Sequence, residues 1–289
     1  METTIWYSGV NSYKKHTFEF YPDRATYTTE ILDVDLSYVD NAQEAIIASL
    51  DNSKKPIEVL YSGGLDSECI LYACMKYDIP VEPITLRLLV KNAPINIHDL
   101  YYSEKFCSQH RLNQKIVDFH IDRFYDNGDH IPYLKPYRAR LINTASIMWL
   151  LERCSRFPVI GGDYMWPQVS RNVYSPWRSD YGCFDHFMKE KGIDGVGNML
   201  SHSPETNMFF IKEHIRSYDS TTIFKNNIVN NLGFSLEHRH SSYGWERFDL
   251  KKVNDDLTEV FGHTHNSIIW NEEFGKLIGA GPGKNDKFK

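Results

Sequence analysis

Between residues 57 and 160 the chain alternates between two hydrophobic periods, and this alternation constrains the fold more than any other feature. Short apolar runs that read as buried strands cover Ile57–Tyr61, Val81–Val90, Lys115–Ile121 and Pro158–Ile160. Between them stand segments with helical spacing: Asp66–Tyr77, Asp99–Arg111 and Ala139–Arg153. In the last of these, Leu141, Ile142, Ala145, Met148 and Trp149 fall on one face. Strands joined through helices run the same way, so the expectation is an α/β fold whose parallel sheet is covered by helices.

The flanks read differently. Period-2 stretches at His16–Phe20 and Ala25–Thr29, either side of Tyr21-Pro22-Asp23, predict short antiparallel strands. Val39, Ala42, Ile46 and Leu50 predict a helix over 37–50. Past Tyr181 the signals are helical: Ser203-Pro204 as a helix start, Gly233 as the end of a helix begun after Asp219, and Asp249 and Gly262 around another. The expected organisation is an N-terminal β/helix extension (1–50), an α/β domain (51–180) and a mostly helical C-terminal lobe (181–289). The segment Gln168–Asp180, with Arg171 and Arg178, reads as a lid or a plain surface connection without structure of its own.

The chemistry concentrates in Ser62-Gly63-Gly64-Leu65-Asp66-Ser67, at the junction of the first of these strands and its helix. Two adjacent glycines let the backbone turn tightly, and no Cβ blocks an approaching oxyanion. The helix that starts near Asp66 adds its positive N-terminal end, and Ser62 and Ser67 offer hydroxyl donors. Asp66 would repel a phosphate held there unless it bound a cation, which implies Mg²⁺. The loop lacks the closing Gly-Lys-[Ser/Thr] of a P-loop. Gly279-Ala-Gly281-Pro-Gly283-Lys284 is only superficially similar, with no buried strand before it, and reads as a flexible tail.

This stretch resembles S-G-G-x-D-S, the pyrophosphate-binding loop of the PP-loop ATP pyrophosphatase superfamily. The resemblance implies a Rossmann-like, adenine nucleotide alpha-hydrolase-like sheet, with ATP and Mg²⁺ as cofactors and cleavage of ATP to AMP and pyrophosphate. Within that group the chain is most similar to the synthetase domain of asparagine and β-lactam synthetases, over roughly residues 50–170. The similarity implies nucleotide binding by Ser62, Gly63, Gly64, Leu65, Asp66 and Ser67, and by Gly161 and Gly162 in Val159-Ile160-Gly161-Gly162-Asp163. It makes Leu86 a backbone neighbour of adenine. Asp66 and Asp163 become the Mg²⁺ or pyrophosphate-side carboxylates, although Asp163 also reads as a turn residue. Strand ends gather ligands in parallel sheets, so Gly161 and Asp163 are expected beside the first loop. Arg239, with His240, stands in a late basic segment where the relatives carry a lysine against the reacting phosphates; this chain has none there.

The chain opens Met1-Glu2-Thr3, without the cysteine of a fused glutaminase domain, and the first 50 residues are too few to hold one. Nitrogen would therefore come from ammonia, a partner or an amine substrate. The expected function is an ATP-dependent adenylating, amide-forming ligase acting on a small carboxylate or carbonyl compound. The alternatives are modification of a nucleobase or tRNA, and a protein that binds ATP or AMP without turnover. A net charge of −6 disfavours a nucleic-acid partner, which needs a basic face. Five scattered cysteines form no C-x-x-C pair, so neither a zinc knuckle nor an iron–sulfur cluster is expected. No leader and no run near the roughly 18 apolar residues of a membrane span appear, so a cytoplasmic, membrane-free protein is expected.

Overall fold

The computed structural model describes residues 3–6, 12–21, 24–33, 56–137, 142–161, 173–174, 182–197, 199, 269–271 and 276–278. Thr3–Trp6 (β1), Ser12–Tyr21 (β2) and Arg24–Asp33 (β3) pair antiparallel in sequence order, with Tyr21 opposite Arg24. The two expected strands are present and longer than their period-2 stretches suggest, because pairing carries on beyond the alternating residues. The helix expected over 37–50 lies outside the described residues.

The central sheet obeys the alternation. Its elements are Ile57–Leu60 (β4), Leu65–Lys76 (α1), Val81–Val90 (β5), Ala93–Pro94 (β6), Ile97–Gln109 (α2), Lys115–His120 (β7), Ile121–Asp126 (α3), Ile131–Leu134 (α4), Ile142–Leu151 (α5) and Phe157–Ile160 (β8). β5 is parallel to β4 on one side and to β7 on the other; β4 is parallel to β8, and β6 folds back antiparallel on the end of β5. The parallel strands thus lie β7-β5-β4-β8, the doubly wound, Rossmann-like arrangement in which strand order reverses between β4 and β8. All four residues of β4 are buried, as a strand covered on both faces requires. One of them is Glu58. Its Oε2 accepts from the Ser155 and Arg156 amides at 2.8 and 3.0 Å, and its Oε1 from Ser155 Oγ at 3.1 Å. These bonds satisfy the buried carboxylate and pin the chain as it enters β8.

Two helices depart from expectation. α3 and α4 fill the connection after β7, where no helix is signalled, since six and four residues are too few to show a helical period. The alternation of β7 also runs on into Ile121, so the strand ends one residue sooner than its pattern.

Val173–Tyr174 (β9) pairs antiparallel with Thr29 and Glu30 of β3. The segment Gln168–Asp180 is therefore not structureless: part of it joins the N-terminal sheet. Gly182–Lys191 (α6) lies against β3 and sets Phe184, Phe187 and Met188 into the central core. After it, Val196 bridges Val159 in parallel, its amide donating to Pro158 O at 2.9 Å and its carbonyl accepting from Ile160 N at 2.9 Å. The Gly197 amide donates to Asp185 Oδ1 at 2.7 Å. Ile269–Asn271 (β10) and Lys276–Ile278 (β11) form an antiparallel pair in the lobe expected to be mostly helical. The helices expected around Ser203–Gly262 and the tail Gly279–Lys284 lie outside the described residues. Among the described residues no helix is long and apolar enough to cross a membrane.

Candidate functional site

Leu60 and Ile160 are paired in the last register position of β4 and β8, so the segments leaving these two strands emerge side by side where the strand order reverses. On one side come Ser62-Gly63-Gly64 and the start of α1; on the other comes Gly161. A Cβ on Gly161 would stand 3.1 Å from both Asp66 Cβ and the Ser67 amide nitrogen. The second glycine segment therefore rests directly on the first turn of α1. Gly162 and Asp163 continue it outside the described residues, and Arg239, elsewhere in the chain, lies outside them too.

The two loop glycines have different reasons to lack a side chain. Gly63 has φ +78° and is wedged against α2: a Cβ there would meet the Asp99 carbonyl oxygen at 2.9 Å and the Ser103 amide nitrogen at 3.4 Å. Packing and backbone together require glycine at 63. Gly64 is the N-cap of α1 with φ −84° and ψ 151°, a conformation open to any residue. Among the described residues, a Cβ on Gly64 meets only Ser62 Oγ, at 3.5 Å. Among the described residues neither packing nor backbone requires glycine at 64.

Helix α1 carries no side-chain hydrogen bond at its N-cap, and its first internal bond runs from the Glu68 amide to the Gly64 carbonyl at 3.3 Å. Amides ahead of that bond precede the helical ladder and give this end its partial positive charge. The loop is closed at its base by two bonds, each spanning seven residues. Ser67 Oγ donates to Leu60 O at 2.9 Å, and Tyr61 OH donates to Glu68 Oε1, both buried. The Ser67 hydroxyl donates to the strand below, so Ser67 braces the loop, while Ser62 is exposed at its rim.

The Leu86 carbonyl accepts from Asn96 Nδ2 at 2.9 Å, while Asn96 Oδ1 accepts from the Leu88 amide at 2.9 Å. The Asn96 side chain thus mimics a strand along the part of β5 that outruns β4, and it leaves the Leu86 carbonyl one further lone pair. Gly64, Leu65 and Asp66 are half-buried at the loop, and Gly63 and Ser67 are buried.

Asp66 offers one carboxylate at this place. Among the described residues no three His, Cys, Asp or Glu side chains gather as a metal cage. That donor set fits Mg²⁺ in the way magnesium is ordinarily held, by one or two carboxylates and the phosphate oxygens it accompanies. Thiolate chemistry has no support nearby. Burial, with help from the Glu68 charge, pushes the Cys107 thiol of α2 up to about 12, and burial does the same to Cys74 of α1. Residues missed by sequence reasoning include Tyr61, Glu68, Thr85, Asn96, Ser103 and Gln114, which hold the loop and its walls in place. Their one signal is polarity: a threonine inside Pro83-Ile-Thr-Leu and a glutamate inside Leu65-Asp-Ser-Glu-Cys-Ile.

No family model and no curated protein matches the sequence. Some solved structures are similar at a low level. A predicted subunit of tRNA methyltransferase from Methanocaldococcus jannaschii shares 16% identity at a TM-score of 0.32, over 65% of this chain and 95% of that one. The U34-tRNA thiolase from Methanococcus maripaludis shares 16% at 0.33, over 81% and 82%. The NH₃-dependent NAD synthetase from Campylobacter jejuni shares 14% at 0.31, over 72% and 100%. At such scores the site stands on its own residues.

Proposed function

We propose that this chain is a PP-loop ATP pyrophosphatase that adenylates a substrate and forms an amide, releasing AMP and pyrophosphate. The observation that carries the reading is Gly64, a glycine that neither backbone nor packing among the described residues demands, at the N-terminus of α1 within Ser62–Ser67. Such a loop suits a pyrophosphate leaving group held as a unit by backbone amides, the Ser62 hydroxyl and the helix end. It has no lysine of the P-loop kind to reach a terminal phosphate, so attack falls on the α-phosphorus. Mg²⁺, when bound, would neutralise pyrophosphate oxygens, and Asp66 with Asp163 would hold it. Gly161, seated against the first turn of α1, supports Asp163 two residues later as the second carboxylate. Arg239 is the proposed cation from the C-terminal lobe. The acceptor is a carboxylate, which gives one oxygen to AMP and becomes an amide when ammonia or an amine attacks, or a carbonyl compound, whose oxygen leaves with AMP and whose product carries a C=N bond.

The test is incubation with ATP, Mg²⁺ and a panel of carboxylate, carbonyl and nucleobase acceptors with an amine source. AMP and pyrophosphate should appear in equal amounts, and both should vanish together in Ser62→Ala. ADP and orthophosphate as the coupled products would overturn the reading. Turnover confined to nucleobase acceptors would move the substrate to nucleic acid while keeping the loop chemistry.

A further inference from the structure

Gln114, the residue before β7, points its amide nitrogen at two hydroxyls. One is Thr85 Oγ1 on β5, at 2.7 Å; the other is Ser103 Oγ on α2, at 3.0 Å. Each hydroxyl has already given its proton to a backbone carbonyl, Thr85 to Tyr61 O at 2.6 Å and Ser103 to Leu100 O at 3.1 Å. A hydroxyl has one proton to donate, so both can only accept from Gln114. The site therefore demands two donors from one place, and a neutral amide group supplies them. The same logic fixes which way the Gln114 amide is turned.

These bonds hold the loop. Tyr61, whose carbonyl Thr85 grips, is the residue immediately before Ser62. Ser103 and Asp99 form the wall against which Gly63 is wedged. Through Thr85 and Ser103, Gln114 ties the strand wall and the helix wall of the loop to each other. Thr85 and Ser103 are 1% and 0% exposed, so water does not replace a lost partner there, and a break is felt by the walls themselves.

We propose that Gln114 is the positioning residue of the Ser62–Ser67 loop, setting the spacing between β5 and α2 that keeps the loop amides aligned on the departing pyrophosphate. The catalytic half of this proposal rests on the ATP reading above; the structural half does not. Gln114→Glu keeps the shape and turns the donor into an acceptor that faces two acceptors. Thr85→Val removes the central hydroxyl without changing the outline, and Thr85→Ser keeps it.

Two measurements on the full chain separate the halves. Amide hydrogen exchange without nucleotide should quicken over residues 61–65 in Gln114→Glu and Thr85→Val, by about tenfold or more relative to residues 157–160. Thr85→Ser should match the wild type. In turnover assays the KM for ATP should rise by about 10- to 100-fold in the first two variants, with a smaller change in kcat, as displacement of a binding group by a fraction of an ångström produces. Loop exchange that stays unchanged, or rises only in step with residues 157–160, overturns the proposal. Quickened loop exchange with an unchanged KM overturns its catalytic half. Quickened exchange in a protein whose wild type neither binds ATP nor forms AMP upholds the positioning role and discards the nucleotide reading instead. Should Gln114→Glu fail to fold, Thr85→Val against Thr85→Ser carries the test.

Discussion

At Gly63 a methyl group would lie 2.9 Å from the Asp99 carbonyl on a backbone held at φ +78°, whereas at Gly64 it would meet, among the described residues, only the Ser62 hydroxyl at ordinary contact distance. The two positions therefore predict opposite mutational behaviour. Gly63→Ala should lower stability by about 1–3 kcal/mol or more, since strain and clash act together. Gly64→Val should cost about 1 kcal/mol or less, the difference between a good and a poor N-cap, yet abolish formation of AMP and pyrophosphate. Urea denaturation of both variants beside their turnover decides this; a Gly64→Val protein with wild-type turnover would count against any oxyanion at the loop. Much of this scale is legible in the sequence. Ser62–Ser67 and Gly161 belong to contiguous motifs, and the pairing of Leu60 with Ile160 delivers them to one place. Thr85, Ser103 and Gln114 are not legible, because residues so far apart that meet through hydrogen bonds leave no periodicity. The bracing bond from the Ser67 hydroxyl to Leu60 O is not legible either, since only the helical turn decides which way that hydroxyl faces.

Among the elements, all four parallel strands arise from their apolar runs, while short α3 and α4 and the two-residue β9 give no such signal, being below the length at which a period repeats. Glu58 in β4 is the residue that pattern alone would reject. Its carboxylate joins the start of β4 to the chain entering β8, and it also governs a neighbour: burial and then the Glu58 charge push the Cys154 thiol up to about 12. Two outcomes are expected for Glu58→Gln. Stability should drop by roughly 1.5–3 kcal/mol, because hydrogen bonds to a charged acceptor become bonds to a neutral one. Alkylation of half-buried Cys154 at pH 8, tracked site by site by mass spectrometry, should be slow in the wild type and faster in the variant, since the thiolate is the reactive form. An unchanged rate would show that burial alone holds that proton.

For the whole molecule the same physics fixes a direction of pH dependence. Cys74, Cys107 and Cys154 are all raised from an ordinary value of 9.0 to about 12, and burial lifts the Tyr125 phenol as well. Above about pH 9 the unfolded chain sheds these thiol protons while the folded chain keeps them, so the unfolded state gains and stability falls as pH rises. Melting temperatures should decline as pH rises above that point; a flat profile from about pH 8.5 to 10.5 would contradict the burial of these groups. The sheet that joins the N-terminal strands to β9 has a consequence for synthesis. Glu30 of β3 pairs with Val173 of β9, so the N-terminal strands leave the ribosome long before their last partner exists. At about 5–20 residues per second that delay is roughly 7–30 seconds. Throughout it the part of β3 that β9 will cover lacks that partner, so strand addition from another chain is a hazard of synthesis more than of the finished protein.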